Sequence, residues 1–95
     1  FVVADSEGRV RRANRAFLDL VQCTNEANVL DEPLARWLTT PGADAGLVMR
    51  TLREHGEIRL FATTLTGILG SEALVELSGT ASSAGGPLAM GLLIR

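Results

Sequence analysis

The sequence predicts an α+β domain: a five-stranded antiparallel sheet with short helices and one longer helix gathered on one face. Three observations lead there. Two strand-like segments open the chain, only helical patterns fill its middle, and three strand-like segments close it. Strand and helix never alternate, which argues against a doubly wound parallel sheet. The chain has 95 residues, which is one domain with one modest core that buries about 60–65% of the unfolded surface.

Phe1–Asp5 reads as the first strand, and Ser6, Glu7 and Gly8 as a tight turn in which Gly8 is free to take a positive φ. Arg9–Ala13 returns as the second strand of a hairpin. Asn14 is an N-cap residue for the helix that follows. Ala13, Ala16, Phe17, Leu20 and Val21 fall on one stripe at helical spacing. Thr24 to Ala27 cap a short helix around Glu26–Leu30. Pro33 starts another short turn, after which Trp37 and Leu38 point inward. Thr40, Pro41 and Gly42 form a loop. A longer helix covers Asp44–His55 with Leu47, Val48 and Leu52 on its buried side, and Gly56 stands in the C′ position.

The last forty residues read as strands Glu57–Thr66, Ala73–Ser82 and Leu88–Arg95, separated by turns at Gly67–Gly70 and at Ala84 to Pro87. The middle strand alternates: Ala73, Val75, Leu77, Gly79 and Ala81 share one face, and Leu74, Glu76, Ser78 and Thr80 the other. In the last strand Leu88, Met90, Leu92 and Ile94 oppose Ala89, Gly91 and Leu93. In Glu57–Thr66 the expected outward pair is Phe61 and Leu65, opposite Leu60 and Ala62. Both sheet faces thus carry apolar side chains. One covers the helices. The other, with Phe61, Leu65, Leu74, Ala89, Gly91 and Leu93, is the expected interface, because contiguous exposed apolar surface marks contact sites.

Composition narrows the function classes. Hydrophobic residues make up 46% of the chain, too many for a disordered segment. The net charge of −2 lacks the basic face that nucleic-acid binding by this segment requires. All nine basic residues are Arg, so no lysine Schiff base or P-loop lysine exists. One cysteine permits no internal disulfide and suits a reducing cytoplasm. The uncharged run from Leu60 to Ser71 holds three Thr and two Gly and is too short to span a bilayer. The chain reads as a single domain, 1–95, cut from a larger regulator.

No constellation for catalysis is present. Five serines share one possible histidine partner, with no nucleophile elbow. The carboxylates stand singly, and the paired glycines precede no helix. The expectation is a protein that is not an enzyme. Cys23 falls at a helix C-terminus, where the dipole disfavours a thiolate, so an inert thiol is the favoured reading over a redox sensor. Arg9, Arg11, Arg12 and Arg15 cluster locally; they fit the solvent face of a hairpin better than an anion-docking surface, with Asp19 and Glu26 in reach of Arg12 and Arg15. One histidine and one distant cysteine close no metal site.

The same order of elements carries a resemblance. Phe1 to Val10 look like the opening hairpin of PAS domains. Ala13, Asn14, Arg15, Ala16 and Phe17 resemble that family's "A-N-x-A-F" helix start, and Pro33 to Leu38 its "G-x-P-L…L" step, with Glu32 where a glycine is usual. Gly91 to Arg95 resemble its last strand. Arg36 to Leu38, Pro41 and Gly42, Leu52 to Gly56 and Arg59 to Leu65 look, more narrowly, like a PAS domain (the second) of PpsR/CrtJ-type photosynthesis-gene repressors of purple bacteria. The resemblance implies a cytoplasmic transcription regulator whose DNA-binding part lies outside this segment. It also implies oligomerisation, with a flavoprotein antirepressor as a candidate further partner.

Set against PAS domains that hold cofactors, the expectation here is none. Flavin-adduct domains place their Cys directly after the helix-start Asn, where this chain has Arg15, and no Asn or Gln follows Asn28 to read a flavin edge. Haem-binding members use a His on the long helix; His55 lies there but at its last position, where capping or solvent accounts for it. The alternative function is a small-ligand or haem-type sensor of another signalling protein such as a histidine kinase. Its pocket would be lined by Phe17, Leu20, Trp37, Val48, Leu60 and Val75, side chains that a filled core explains equally well.

Overall fold

A computed structural model describes residues 1–38, 44–83 and 88–95. The strands are β1 (Val2–Asp5), β2 (Val10–Ala13), β3 (Glu57–Thr66), β4 (Glu72–Ser82) and β5 (Ala89–Ile94); the helices are α1 (Arg15–Leu20) and α2 (Asp44–His55), with 3-10 turns at Glu26–Asn28 and Leu34–Arg36. The five strands form one sheet in the order β2-β1-β5-β4-β3, every neighbouring pair antiparallel. The α+β class and the five-stranded antiparallel sheet with helices on one face are as the sequence predicts. The expected loop at Thr40 to Gly42 and the turn at Ala84 to Pro87 lie outside the described residues.

The first and last strands meet because β1 lies between β2 and β5, with Val2 opposite Leu92 and Ala4 opposite Met90. Their inward side chains are buried with those of β4, Val75 and Leu77, and with the helical residues Phe17, Leu18, Val48 and Leu52. Trp37 is the largest buried side chain and meets Phe17 edge to face, with ring centres 5.7 Å apart.

Both sheet edges are partly occupied by the chain itself. Along β2, Val10 exchanges main-chain hydrogen bonds with Glu32 and Asp31, and Leu34 N–H donates to Gly8 O at 2.8 Å. Along β3, Thr66 N–H donates to Trp37 O at 2.8 Å. Such cover removes open edges that would template further pairing.

The helix ends follow their local chemistry. Asn14 caps α1, its Oδ1 accepting from Phe17 N–H at 3.1 Å and from the main-chain nitrogen of Phe1 at 2.6 Å. At the far end Cys23 N–H reaches Leu18 O at 2.8 Å and Gln22 N–H reaches Asp19 O at 3.2 Å, with Gln22 at φ +61°. That is a Schellman ending after only six residues. It buries Leu18 beside Cys23, whereas Leu20 of the expected stripe is only partly buried and Ala16 is exposed. In α2 the buried residues are Val48, Met49 and Leu52; Leu47, expected inside, is exposed at the edge of the stripe. Gly56 at φ +78° ends α2 and lets β3 begin one residue later.

The main correction concerns β3. Leu65, expected outside, is fully buried, and Phe61 packs against the core; Leu60, expected to line an inner pocket, is 70% exposed. The register of β3 against β4 shifts between Ile58 and Phe61, and Leu60 takes φ +49°. Ile58 therefore faces the core from an even position while Phe61, Thr63 and Leu65 face it from odd ones. One extra residue in a strand flips every side chain beyond it.

Candidate functional site

The outer face of the sheet is the candidate site. On β4, Leu74 is 90% exposed; on β5, Leu93 is 45% exposed, with Gly91 and Ala89 further along the same face. Between β3, β4 and β5 lies a groove of about 450 Å³, bordered by Phe1, Glu57, Arg59, Ser78, Gly91 and Leu93. A smaller hollow of about 150 Å³ lies on the other side of Leu93, against Leu60, Glu76 and Arg95. Leu93 and Ser78 border both.

Pairing sets this geometry. Ser78 stands opposite Leu93 and Thr80 opposite Gly91 in the β4–β5 ladder. Ser78 Oγ also accepts the N–H of Leu60 at 3.0 Å, which holds the bulge in its left-handed backbone and leaves the Leu60 side chain outside. A left-handed backbone at a bulky residue costs about 1 kcal/mol or more. At Gly91 a Cβ would meet nothing within 4 Å, so the groove floor is open there. At Gly79, whose missing side chain faces the core, a Cβ would lie 2.6 Å from Leu92 Cδ2 and 2.7 Å from Gly91 O.

Of the six expected interface residues, the structure brings Leu74, Ala89, Gly91 and Leu93 to the outer face and turns Phe61 and Leu65 inward. Leu60 takes their place. Phe1 and the Glu57–Arg59 pair, 3.7 Å apart, also belong to the face and were not expected there. Residue alternation could have placed Glu57 and Arg59; nothing in the pattern of β3 announces its bulge.

The inner candidates sit elsewhere. Phe17, Trp37, Val48 and Val75 are buried in the core, and none of them borders either hollow. Trp37 Nε1 is buried without a hydrogen-bond partner, and the Arg36 guanidinium lies 5.7 Å from the indole centre. His55 is exposed at the end of α2. Cys23 is buried and its Sγ donates to Asn25 O at 3.3 Å. Among the described residues no three potential metal ligands gather, and no helix is long and apolar enough to cross a membrane.

The arginine cluster is matched by acid. Arg11 binds Asp5 at 2.6 Å and Asp31 at 3.2 Å; Arg12 lies 3.9 Å from Glu26, Arg15 3.8 Å from Asp19 and Arg9 4.0 Å from Glu7. Desolvation alone would push the Asp5 carboxyl up. Hydrogen bonds from Arg11 and from the N–H groups of Arg9 and Glu7 outweigh it and hold Asp5 below its ordinary value.

Comparison with known proteins agrees with this architecture. No family model matches the chain. It is 30% identical over 79 residues to the protein CrtJ of Rhodobacter capsulatus, a match that covers 83% of this chain and 17% of CrtJ. The structure superimposes on the PAS domain of a two-component sensor histidine kinase with a TM-score of 0.83, at 17% identity, covering 99% of this chain and 80% of the other. It superimposes on the PAS domain of nitrogen regulation protein NR(II) from Vibrio parahaemolyticus with a TM-score of 0.79, at 16% identity, covering 99% and 84%. The chain has the PAS fold.

Proposed function

From the premise of a PAS fold and a likeness to one-sixth of CrtJ, we propose that this chain is the oligomerisation and signal-relay domain of a cytoplasmic transcription regulator. It does its work without a cofactor and without catalysis. DNA binding belongs to other parts of that regulator, of the photosynthesis-gene repressor kind, and a flavoprotein antirepressor is a candidate partner.

One observation carries this reading. The outer face carries the exposed side chains of Leu60, Leu74 and Leu93, with an open groove along Leu93, and the bulge that presents Leu60 is held in a strained backbone. Strain persists where surrounding structure enforces it and often marks function. Exposed apolar surface of this kind is covered in the working assembly.

Analytical ultracentrifugation of the purified chain tests it. The chain self-associates, and Leu93→Asp, which puts a charge on the face without touching the core, abolishes association. A chain that stays monomeric at every concentration sinks the reading.

A second reading, small-ligand sensing, is favoured by Trp37 Nε1, because a buried donor left unpaired costs about 1–3 kcal/mol. Native mass spectrometry of the freshly purified chain separates the two: a bound mass supports sensing, a bare chain supports relay. Haem is the least favoured ligand, since exposed His55 stands outside the core.

A further inference from the structure

Resting on the reading of the outer face as a contact surface, we propose that β3 exchanges between two registers on β4, one residue apart, and that contact on the outer face draws it from the observed register into the other. The extra residue that makes the bulge passes into the β3–β4 turn, and the side chains from Leu60 to Leu65 change face.

The ladder defines the two registers. Before the bulge Glu57 stands opposite Thr80 and Ile58 opposite Gly79; beyond it Phe61 stands opposite Leu77, Thr63 opposite Val75 and Leu65 opposite Ala73. Carrying the first pairing straight on sets Leu60 opposite Leu77, Ala62 opposite Val75 and Leu65 opposite Glu72, with no bulge. Residues directly opposite each other in an antiparallel ladder share a face. In this second register Leu60 and Ala62 turn inward, and Phe61, Thr63 and Leu65 turn outward.

The turn has room for the displaced residue. It closes around Ile68, Leu69 and Gly70: Gly67 N–H donates to Ser71 O at 2.8 Å, Gly70 N–H donates to Gly67 O at 3.0 Å, and Gly70 sits at φ +91°. Three-residue loops ending in a left-handed residue and four-residue loops are both common hairpin closures. In the second register Thr66 meets Ser71 and the loop is Gly67–Gly70, with a glycine at each end to absorb the change.

Burial makes the observed register the resting one. Phe61 and Leu65 fill more of the core than Leu60 and Ala62 could. Thr66 N–H to Trp37 O, Ile68 N–H to Val21 O and the Gln22 amide to Ser71 tie the strand and its turn in place. Against this stands the left-handed backbone of Leu60, held by the Ser78 hydroxyl at 3.0 Å. A strand with apolar side chains on both faces specifies its register weakly. The second register is a minor state of the free chain, on the order of 1%. It sets Phe61 and Leu65 on the outer face beside Leu74 and withdraws Leu60 and Ala62. Contact that covers this face therefore stabilises the second register. By reciprocity, whatever loosens Phe61 and Leu65 in the core strengthens the contact outside. That exchange is a relay from core to surface.

Cross-strand cysteines trap each register in a Cys23→Ala chain, with oxidised glutathione as oxidant. Thr64 and Leu74 stand opposite each other in the observed register, so Thr64→Cys with Leu74→Cys bridges there. Thr63 is buried and Leu74 is 90% exposed, on opposite faces, so Thr63→Cys with Leu74→Cys bridges only in the second register. Far-UV circular dichroism reports folding, and dithiothreitol reverses each trap. Both pairs bridge, the second more slowly. The chain trapped in the second register dimerises about tenfold or more tightly than the other in sedimentation equilibrium, because a rarely populated competent state lowers apparent affinity by its fraction. In the chain without added cysteines, nitrogen-15 relaxation dispersion shows exchange confined to β3 and its turn. Ser78→Ala, which removes the acceptor of Leu60 N–H, enlarges the minor population about threefold to tenfold. This measurement keeps the proposal open to failure should the cysteine variants not fold. No bridge from Thr63→Cys and no exchange in β3 overturn the two registers, whatever the oligomeric state. Trapped chains of equal affinity overturn the coupling to the outer face. A chain that bridges both ways yet stays monomeric at every concentration overturns the reading of the outer face and leaves the two registers standing.

Discussion

Leu92 and Leu93 are neighbours on β5, yet one is 1% exposed and the other 45%. The same division runs through β4, where Val75 and Leu77 are buried and Leu74 is bare to solvent. The inner face is closed by α1, α2 and the 3-10 turns, and its side chains hold the domain together. Among the described residues the outer face has no such cover, and its apolar side chains contribute little to folding. Two glycines mark the same divide: Gly79 leaves room for Leu92 inside, and Gly91 leaves room for something outside.

Breaking the contrast at its strongest point means truncating the adjacent leucines one at a time. Leu92→Ala is expected to cost about 2–5 kcal/mol in urea unfolding, from lost burial plus the cavity left behind, a large share of a typical stability of about 5–15 kcal/mol. Leu93→Ala is expected to stay within about 0.5 kcal/mol, as an exposed substitution does. Comparable losses at the two positions would mean that the outer face also belongs to the core.

The glycine pair gives a smaller effect of opposite signs. Gly79→Ala places a methyl against Leu92 and the carbonyl of Gly91, and is expected to cost about 1–3 kcal/mol through overpacking. Gly91→Ala meets open space and is expected to leave stability unchanged or raise it by up to about 1 kcal/mol, because glycine weakens a strand. Thermal unfolding of both chains checks this.

The smallest effect sharpens the comparison at the hairpin, away from both faces. Asp5 has its pKa held below the ordinary value of 3.8. Its contribution to stability is therefore complete above that value and is lost as pH falls through the lower, folded-state value. The gap in unfolding midpoint between the native chain and Asp5→Asn should be widest near neutral pH and close as the carboxyl protonates in acid. A gap that stays constant with pH would show that the Arg11 pair does not titrate with folding.

How far each element was readable depended on how local its cause is. The caps at Asn14 and Gly56 and the alternation of Val75, Leu77 and their neighbours act over a few residues, so the pattern of residue types carries them. The face of β3 was not readable. Its bulge depends on where Ser78 of another strand presents its hydroxyl to Leu60 N–H, and an apolar run such as Leu60, Phe61, Ala62 gives no parity of its own. The buried face of α1 was misjudged for a related reason: a six-residue helix is placed by its ending at Gln22 and Cys23 more than by its own stripe.

By itself the sequence determined the element order, the antiparallel sheet and its single helical cover, because length, periodicity and turn chemistry leave few other ways to bury its apolar residues. Tertiary structure alone decided which residues of β3 face out, that Trp37 Nε1 goes unpaired, and that Leu93 stands beside an open groove over Gly91. Those features arise from contacts between segments far apart in the chain, and a pattern along one strand holds no record of what its neighbours present to it.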